Sequence, residues 1–127
     1  MTPQQIIDYC LAKRGAYIDY PFGPDVVAIK VGKTSERSGR IFAQIFKLKG
    51  IDTVTLNCDM MTGQFYRDLL PNIVVRGYHC PAVQQPYFNT FPLTDDVTDE
   101  LIIEMIEHSY QTVVNKLPKY VQKSLED

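Results

Sequence analysis

The features that the sequence lacks exclude several classes of protein. No run of residues approaches the roughly 18 consecutive apolar residues of a membrane-spanning helix. The first five residues, Met1 to Gln5, lack the basic and apolar regions of a signal peptide. We therefore expect a cytoplasmic protein that has no membrane partner.

Positive charge is also scarce. The 13 Lys and Arg residues are outnumbered by 15 Asp and Glu residues, which gives a net charge of -2 at pH 7. The isoelectric point of about 5.6 lies well below roughly 9, the value above which compact nucleic-acid-binding domains are common. The composition of the whole chain therefore argues against a uniformly basic DNA-binding protein.

Cysteines and catalytic motifs give no sign of a reactive or metal site. The three cysteines, Cys10, Cys58 and Cys80, form no CxxC pair, and their odd number and wide spacing are typical of reduced, buried thiols. The sequence contains no HExxH, Walker, GxGxxG or GxSxG motif. We expect no metal, no cofactor and no enzymatic activity.

We expect neither histidine to be catalytic: one has a structural role and the other lies on the surface. His79 follows Tyr78 in an irregular segment, and we predict that it is buried and hydrogen-bonded, so that the two residues fix the segment. Cys80 cannot use His79 as a base in an extended segment, because neighbouring side chains point apart there. His108 follows the last acidic residue of a predicted helix, and we expect it to be exposed.

Length and composition predict one domain that covers residues 1–127. With 45% hydrophobic and 22% charged residues, the chain has ordinary globular values and needs no disulfide or metal to fold. Hydrophobic periodicity and turn residues give the order α-β-β-β-α-β-β-α, which belongs to the α+β class. The elements are helices at 3–14, 60–70 and 96–117, strands at 26–31, 41–48, 51–56, 73–76 and 87–91, a loop at 17–25 and a short helix at 119–125.

The same periodicity predicts how the sheet and the core are built. The strands between 26 and 56 form an antiparallel meander, because their connections are too short for parallel crossovers. The strand at 41–48 has apolar residues on both faces, which is typical of a strand covered on both sides. We predict that the core contains Ile6, Ile7, Leu11, Ile29, Phe42, Ile45, Phe65, Leu69, Ile102, Ile106, Tyr110 and Val113.

The second helix has an apolar stripe that permits two interpretations. Met60, Met61, Phe65, Tyr66 and Leu69 recur at helical intervals. Such a stripe usually packs into the core, and we favour that interpretation. The alternative is an exposed groove that binds a peptide.

Charge is unevenly distributed along the chain. Eight basic and four acidic residues lie between Lys30 and Arg76, whereas six acidic and no basic residues lie between Phe91 and Gln111. The helix dipole favours acidic residues in the first turns of a helix, which explains much of the acidic segment. The basic segment is either a solvated surface or a site for an anionic partner.

Several short motifs, taken in their order and spacing, resemble those of one family. They are Tyr9-Cys10, Lys13-Arg14-Gly15-Ala16, Tyr20-Pro21-Phe22-Gly23, Ile41-Phe42-Ala43, Leu56-Asn57-Cys58, Gly77-Tyr78-His79, Ser109-Tyr110 and Lys116-Leu117-Pro118-Lys119. With these motifs the chain resembles the MmcQ/YjbR family of small bacterial proteins. One departure is that Pro86-Tyr87-Phe88 stands where the family usually has a tryptophan.

The resemblance implies both a fold and a function. The fold is a two-layer one in which helices lie against one antiparallel sheet, a plan also found in bacterial secretion chaperones. The function is DNA binding through a double-wing motif, in which two β-loops grip the duplex. In this chain the basic residues of the wings would be Lys33, Arg37 and Arg40 in the first loop, and Lys47 and Lys49 at the second.

Two functions from different classes remain open. The first is weak DNA binding through the basic loops, and the second is a protein-interaction or chaperone-like module with no nucleic-acid role. The loops themselves could also be solvated hairpin tips whose charges keep a sheet edge soluble. A basic stripe on the folded sheet would favour DNA, and a contiguous apolar patch would favour a protein partner.

Overall fold

Hydrogen bonds between residues of its first turn set the start of the first helix. In the computed structural model, which describes residues 1–126, α1 spans Pro3–Leu11. The Thr2 hydroxyl accepts a hydrogen bond from the Gln5 N–H at 3.1 Å, and the Gln5 side chain accepts one from the Thr2 N–H at 2.9 Å. This predicted capping box satisfies two N–H groups that the first turn leaves without helical partners.

Six antiparallel strands form one sheet. The sequence prediction of an α+β fold with an antiparallel meander is confirmed, and the meander is β2, β3 and β4. Lys49 and Gly50 have positive φ values of 52° and 80°, which suits the two-residue turn between β3 and β4. The strands are β1 (Ala16–Asp19), β2 (Val27–Val31), β3 (Arg40–Leu48), β4 (Ile51–Asn57), β5 (Val75–Arg76) and β6 (Phe88–Pro92), in the order β1-β2-β3-β4-β6-β5.

One strand lies where the sequence predicts a loop. Prolines and a glycine dominate the segment 17–25, but its first residues belong to β1, in which Tyr17 pairs with Lys30. Gly15, with φ of 73°, turns the chain out of α1 and into this strand. Pairing with β2 therefore makes these residues extended, and the local sequence does not reveal it.

Three further helices complete the fold. They are α2 (Met60–Leu69), α3 (Asp99–Val114) and α4 (Lys119–Ser124), and a short 3-10 turn spans Gln85–Tyr87. Asp59 caps α2 as predicted, because its carboxylate accepts a hydrogen bond from the Thr62 N–H at 2.7 Å. Among residues 1–126, no helix is both long and apolar enough to cross a membrane.

The core lies between one face of the sheet and the helices α1 and α3. Ile6 of α1 and Ile106 of α3 are fully buried against Ile29 and Phe42 of the sheet. The Ser109 hydroxyl donates a hydrogen bond to the Phe42 carbonyl and so ties α3 to β3. This arrangement is the two-layer plan that the family resemblance implies.

The opposite face of the sheet departs from the sequence prediction for β3. That strand was expected to be covered on both sides, and Ala43 and Ile45 do belong to the core. Gln44 and Phe46 alternate with them and are only half-buried, on the face that α1 and α3 leave open. The apolar residues of β3 reflect an aromatic surface on this open face and not a second helical layer.

The core prediction is wrong for three residues. Leu11, Phe65 and Leu69 are 37%, 58% and 52% exposed, whereas the other nine predicted core residues are buried or partly buried. Helix α2 buries Tyr66 and Arg67 instead, because it packs beside β6 near the end of the sheet. At that position only one narrow side of the helix meets the core.

The apolar stripe of α2 therefore points outwards. Met60, Met61, Phe65 and Leu69 are each more than half exposed, and we call these four residues the α2 face. The preference for a core position was wrong for them and right for Tyr66, which is 3% exposed. Of the two interpretations of the stripe, the exposed surface is the one that agrees with the structure.

Candidate functional site

The open face of the sheet carries a cleft with a volume of about 980 Å³. Strands β2, β3 and β4 form its floor, the segment 22–26 forms one wall, and the segment 78–84 forms the other. We call it the concave cleft. Cavities of this size commonly hold small molecules or parts of larger ligands.

Short side chains in the middle of the floor explain why a cleft is present. Thr55 lies directly opposite Gln44 on β3 and Thr90 on β6. The hydroxyls of Thr55 and Thr90 are 2.8 Å apart and hydrogen-bonded to each other. The Tyr78 N–H donates to the Thr90 hydroxyl at 2.9 Å, which attaches the wall segment to the sheet. Thr55 thus leaves space above the sheet, and Thr90 anchors one wall.

Two half-buried side-chain amides line this space, in addition to the exposed amide of Gln84. Gln44 and Asn57 line the cleft and are half-buried. Within residues 1–126 neither side-chain amide has a hydrogen-bond partner, although the backbone N–H of Asn57 donates to the Ser109 hydroxyl at 2.9 Å. Each amide offers donors and an acceptor to a molecule in the cleft. Sequence patterns assign neither residue to a site, since Gln44 is a lone polar residue within an apolar strand and Asn57 occurs only in the Leu56-Asn57-Cys58 motif.

Aromatic rings line the wall at residues 78–84 and the adjacent floor. The rings of Phe46 and Tyr78 are stacked, with centroids 6.2 Å apart and an angle of 20° between their planes. The His79 ring lies 3.8 Å from the Tyr78 ring, at 53° to it. Tyr78 is 40% exposed, so part of its ring surface is open to a ligand.

The predicted burial of His79 is wrong. The residue is exposed, has a positive φ of 62°, and its ring makes no hydrogen bond in the described part of the chain. The segment is held by other groups: Thr90 accepts from the Tyr78 N–H, and the Gln85 side chain donates to the Cys80 carbonyl at 3.1 Å. His79 is therefore free to line the cleft.

Three cations line the concave cleft against one carboxylate. Arg40 and Lys47 were predicted as site residues, Lys30 was not, and Asp25 is the acidic residue. Lys30 pairs with Asp19 at 2.7 Å, and this hydrogen bond is the main reason that the pKa of the Asp19 carboxyl lies below its usual value. Lys47 lies 3.3 Å from Asp52, whereas Arg40 has no ion-pair partner among residues 1–126.

Two basic residues of the first predicted wing, Lys33 and Arg37, lie outside the cleft and contact neighbouring side chains. Lys33 is 3.9 Å from the Glu36 carboxylate and 5.9 Å from the centre of the Tyr120 ring. The Arg37 guanidinium lies 4.8 Å from the centre of the Tyr17 ring. In this loop the two cations therefore contact the protein's own surface residues.

The two predicted wings lie at opposite ends of β3. The loop with Lys33 and Arg37 precedes this strand, and the turn with Lys49 follows it. Since β3 has nine residues that each rise about 3.3 Å, the two loops are roughly 30 Å apart. They cannot enter one groove side by side, and the concave cleft lies between them.

Cys10, Cys58 and His108 lie in surroundings that are typical of structural residues. Burial raises the pKa of Cys10 to about 12 and that of Cys58 to about 11, so both thiols are protonated at neutral pH. His108 was expected to be exposed but is half-buried, because it accepts a hydrogen bond from the Asp59 N–H at 3.2 Å. No group of three or more His, Cys, Asp and Glu residues within 1–126 is placed to hold a metal ion.

Solved structures from two bacteria share this fold. A Deinococcus radiodurans protein with the family domain DUF419 gives a TM-score of 0.84 at 24% identity, over 98% of this chain and 88% of that protein. A Pseudomonas syringae protein gives a TM-score of 0.71 at 19% identity, over 89% of this chain and 99% of that protein. A comparison with curated proteins found no match.

The family is shown by the sequence itself. The model of the YjbR family matches residues 11–112, a range that contains all six strands, α2 and most of α3. The same range contains the floor and both walls of the concave cleft. The match agrees with the resemblance that the short motifs indicate, and the chain belongs to the YjbR family.

Proposed function

We propose that this protein binds nucleic acid, with DNA as its target, and that the concave cleft is the centre of the binding surface. The observation that carries the proposal is the set of cations that line the cleft: Arg40 has no ion-pair partner among residues 1–126, and Lys30 and Lys47 line the cleft while paired with Asp19 and Asp52. Phosphate groups are attracted to such a surface even when the whole protein is slightly acidic, because charge within a few ångströms dominates the local field.

The individual cations contribute unequally. Arg40 is exposed and has no carboxylate partner among residues 1–126, so its whole charge is available to a phosphate. Lys47 is itself exposed and can exchange its partner Asp52 for a phosphate at small cost. Lys33, Arg37 and Lys49 lie beyond the two ends of the cleft and extend the positive surface along a bound strand.

Fluorescence anisotropy with labelled DNA tests the proposal. We expect binding at about 50 mM salt that weakens steeply towards about 200 mM, because contacts with phosphates release counterions. Replacing Arg40 and Lys47 with Gln together should weaken binding and reduce the salt slope by about two, one for each lost phosphate contact. The measurement gives the dissociation constant at each salt concentration.

A matched control variant removes the same amount of positive charge at a position outside the cleft. Lys116 and Lys119 are exposed cations outside the cleft, and the pair Lys116→Gln and Lys119→Gln removes the same charge. This control should leave affinity almost unchanged. The proposal fails if the wild-type protein does not bind at high micromolar concentration, and the choice of site fails if the control weakens binding as much as the cleft variant does.

The proposal assigns binding, and not catalysis, to the concave cleft. His79 and Cys80 line it, but no hydrogen bond joins them to each other or to Asp25 in the described part of the chain. A nucleophile needs a base held within hydrogen-bond reach. The absence of enzymatic activity therefore stays a prediction of this proposal.

The α2 face favours a second candidate function, the binding of a protein partner. Its four apolar side chains form an exposed stripe at helical spacing, with Met61 85% exposed. Exposed apolar patches commonly mark protein-interaction sites. Co-purification of one defined polypeptide, resistant to nuclease and lost in a Met61→Lys, Phe65→Lys variant, would support it. A polypeptide retained by that variant would contradict it.

A further inference from the structure

We propose that the concave cleft holds one unpaired nucleobase, with the phosphate of that nucleotide at the end of the cleft marked by Arg40. The inference rests on the proposed nucleic-acid binding and names the part of the ligand that enters the cleft. The same chemistry is offered by a base in a single strand and by a free nucleotide.

The shape favours an unpaired base. The floor of the cleft lies between the walls at 22–26 and 78–84. In a duplex the faces of the bases are covered by their neighbours, and only their edges are accessible in the grooves. A base reaches the bottom of a walled cleft only when it is unstacked, as in a single strand or after it has been turned out of a duplex.

Exposed rings on both walls provide stacking surfaces. Phe22 on one wall is 61% exposed, and Tyr78 on the other is 40% exposed. The Tyr78 ring is already stacked against Phe46 at the side of the cleft, and an ordered ring loses less freedom when a base stacks on it. Stacking on aromatic side chains is the common way in which proteins bind single-stranded nucleic acid.

The two amides provide hydrogen bonds to the edge of the base. Gln44 lies opposite Thr55, and Asn57 lies two residues further along β4 on the same face. Side chains in this diagonal relation are about 7–8 Å apart, within reach of one flat ligand. Neither amide has a protein partner within residues 1–126, and a base edge offers the donors and acceptors that would satisfy both.

The charges orient the ligand along the cleft. Arg40 pairs with Val31 at the end of β2, whereas Asp25 precedes the start of that strand. A phosphate is attracted to the Arg40 end, where Lys30 also lies, and is repelled from the Asp25 end. The ligand class is therefore a base flanked by an anion on one side, which is a nucleotide unit.

Fluorescence anisotropy and NMR distinguish the two sources of the base. The probes are a labelled 12-nucleotide single strand, the duplex of the same sequence, and free AMP and UMP followed by chemical shift changes. We expect the single strand to bind about tenfold more tightly than the duplex, because stacking on the rings requires an unpaired base. Free nucleotides should shift the resonances of Gln44, Asn57 and Tyr78 at high concentration.

The key variant removes the amides without changing the charge. Gln44→Ala with Asn57→Ala should weaken single-strand binding about tenfold and leave the salt slope unchanged, because hydrogen bonds to a base release no counterions. The matched control is Gln111→Ala with Asn115→Ala, an exposed amide pair on and next to α3 that should have no effect. Thermal melting of each variant confirms that it is folded.

The outcomes separate this inference from the proposed function. Equal binding of strand and duplex, with no effect of the amide variant and a loss on Arg40→Gln, overturns the base site and leaves nucleic-acid binding intact. Free nucleotides that bind in an amide-dependent way, without any binding of DNA, support the base site and overturn the proposed function. No binding of any probe overturns both.

Discussion

At the scale of single residues, two kinds of polar side chain occupy the two faces of the sheet. On the core side, Asn89 accepts a hydrogen bond from the Arg67 guanidinium at 2.6 Å and donates one to the Gly63 carbonyl at 3.1 Å. On the open side, the amides of Gln44 and Asn57 have no partner within residues 1–126. Both amides are half-buried, so their hydrogen-bonding groups are available to a molecule that enters the cleft.

His79 gives a prediction at this scale. Its φ of 62° lies in the left-handed region, which costs a residue with a Cβ roughly 1–2 kcal/mol. Glycine adopts this φ freely but loses about 0.5–1 kcal/mol more conformational entropy on folding. Because these effects nearly cancel, His79→Gly should change the free energy of unfolding by less than about 1 kcal/mol, as measured by urea denaturation.

The same denaturation experiment can contradict that view of His79. A loss of about 2 kcal/mol or more would mean that the imidazole ring holds the segment in place, as a buried and hydrogen-bonded residue would. Thr90→Val serves as the comparison, since it removes the hydroxyl that accepts from the Tyr78 N–H and should be the more destabilising change.

At the scale of the element, α2 shows how one close contact sets the position of a helix. The Asp59 cap fixes where the helix begins, and the Thr62 N–H that it accepts is the main reason that the pKa of Asp59 is lowered. Gly63 lies in the helix interior, where glycine is unfavourable by roughly 1 kcal/mol. A Cβ at this position would lie 2.4 Å from the Sγ of Cys58, the residue that follows β4, so the helix approaches that residue more closely than alanine would allow.

Gly63→Ala is therefore expected to destabilise the protein in spite of the better helix propensity of alanine. The clash with the buried Cys58 Sγ should lower the free energy of unfolding by about 1–3 kcal/mol. The double variant Gly63→Ala, Cys58→Ala removes the sulfur and should recover part of that loss, which urea denaturation measures as a coupling between the two sites. Strictly additive effects would show that the contact with Cys58 does not explain the glycine.

At the scale of the whole molecule, a sheet covered on one face provides both stability and a binding surface. Helices α1 and α3 bury the face that contains Ile29 and Phe42, and the open face keeps the concave cleft accessible. The α2 face lies outside this two-layer arrangement. The fold thus separates the residues that stabilise it from those available to partners.

A pair of substitutions tests this separation. Ile106 is fully buried between α3 and the sheet, so Ile106→Ala should lower the free energy of unfolding by about 2–5 kcal/mol. Phe65 is 58% exposed on the α2 face, so Phe65→Ala should cost less than about 1 kcal/mol. Chemical denaturation of the two variants gives the comparison. Similar losses for both would place Phe65 in the core and contradict the position of α2.

The sequence by itself determined the features that depend on neighbouring residues. Thr2 and Gln5 cap α1 because their groups are three residues apart, and Lys49-Gly50 turns the chain because only a tight turn fits between two strands. The meander of β2 to β4 follows from short connections. The short motifs also indicate the YjbR family, and with it the two-layer plan.

Only the tertiary structure decided which residues meet across the sheet. The concave cleft combines Gln44 of β3, Asn57 of β4 and Tyr78 of a distant segment, and no local pattern joins positions that far apart. The exposure of Phe65 likewise depends on where α2 packs, since helical periodicity shows that a stripe exists and not which side of it is covered. Burial and the composition of a site are set by contacts between distant segments, whereas caps and turns are set by residues adjacent in the chain.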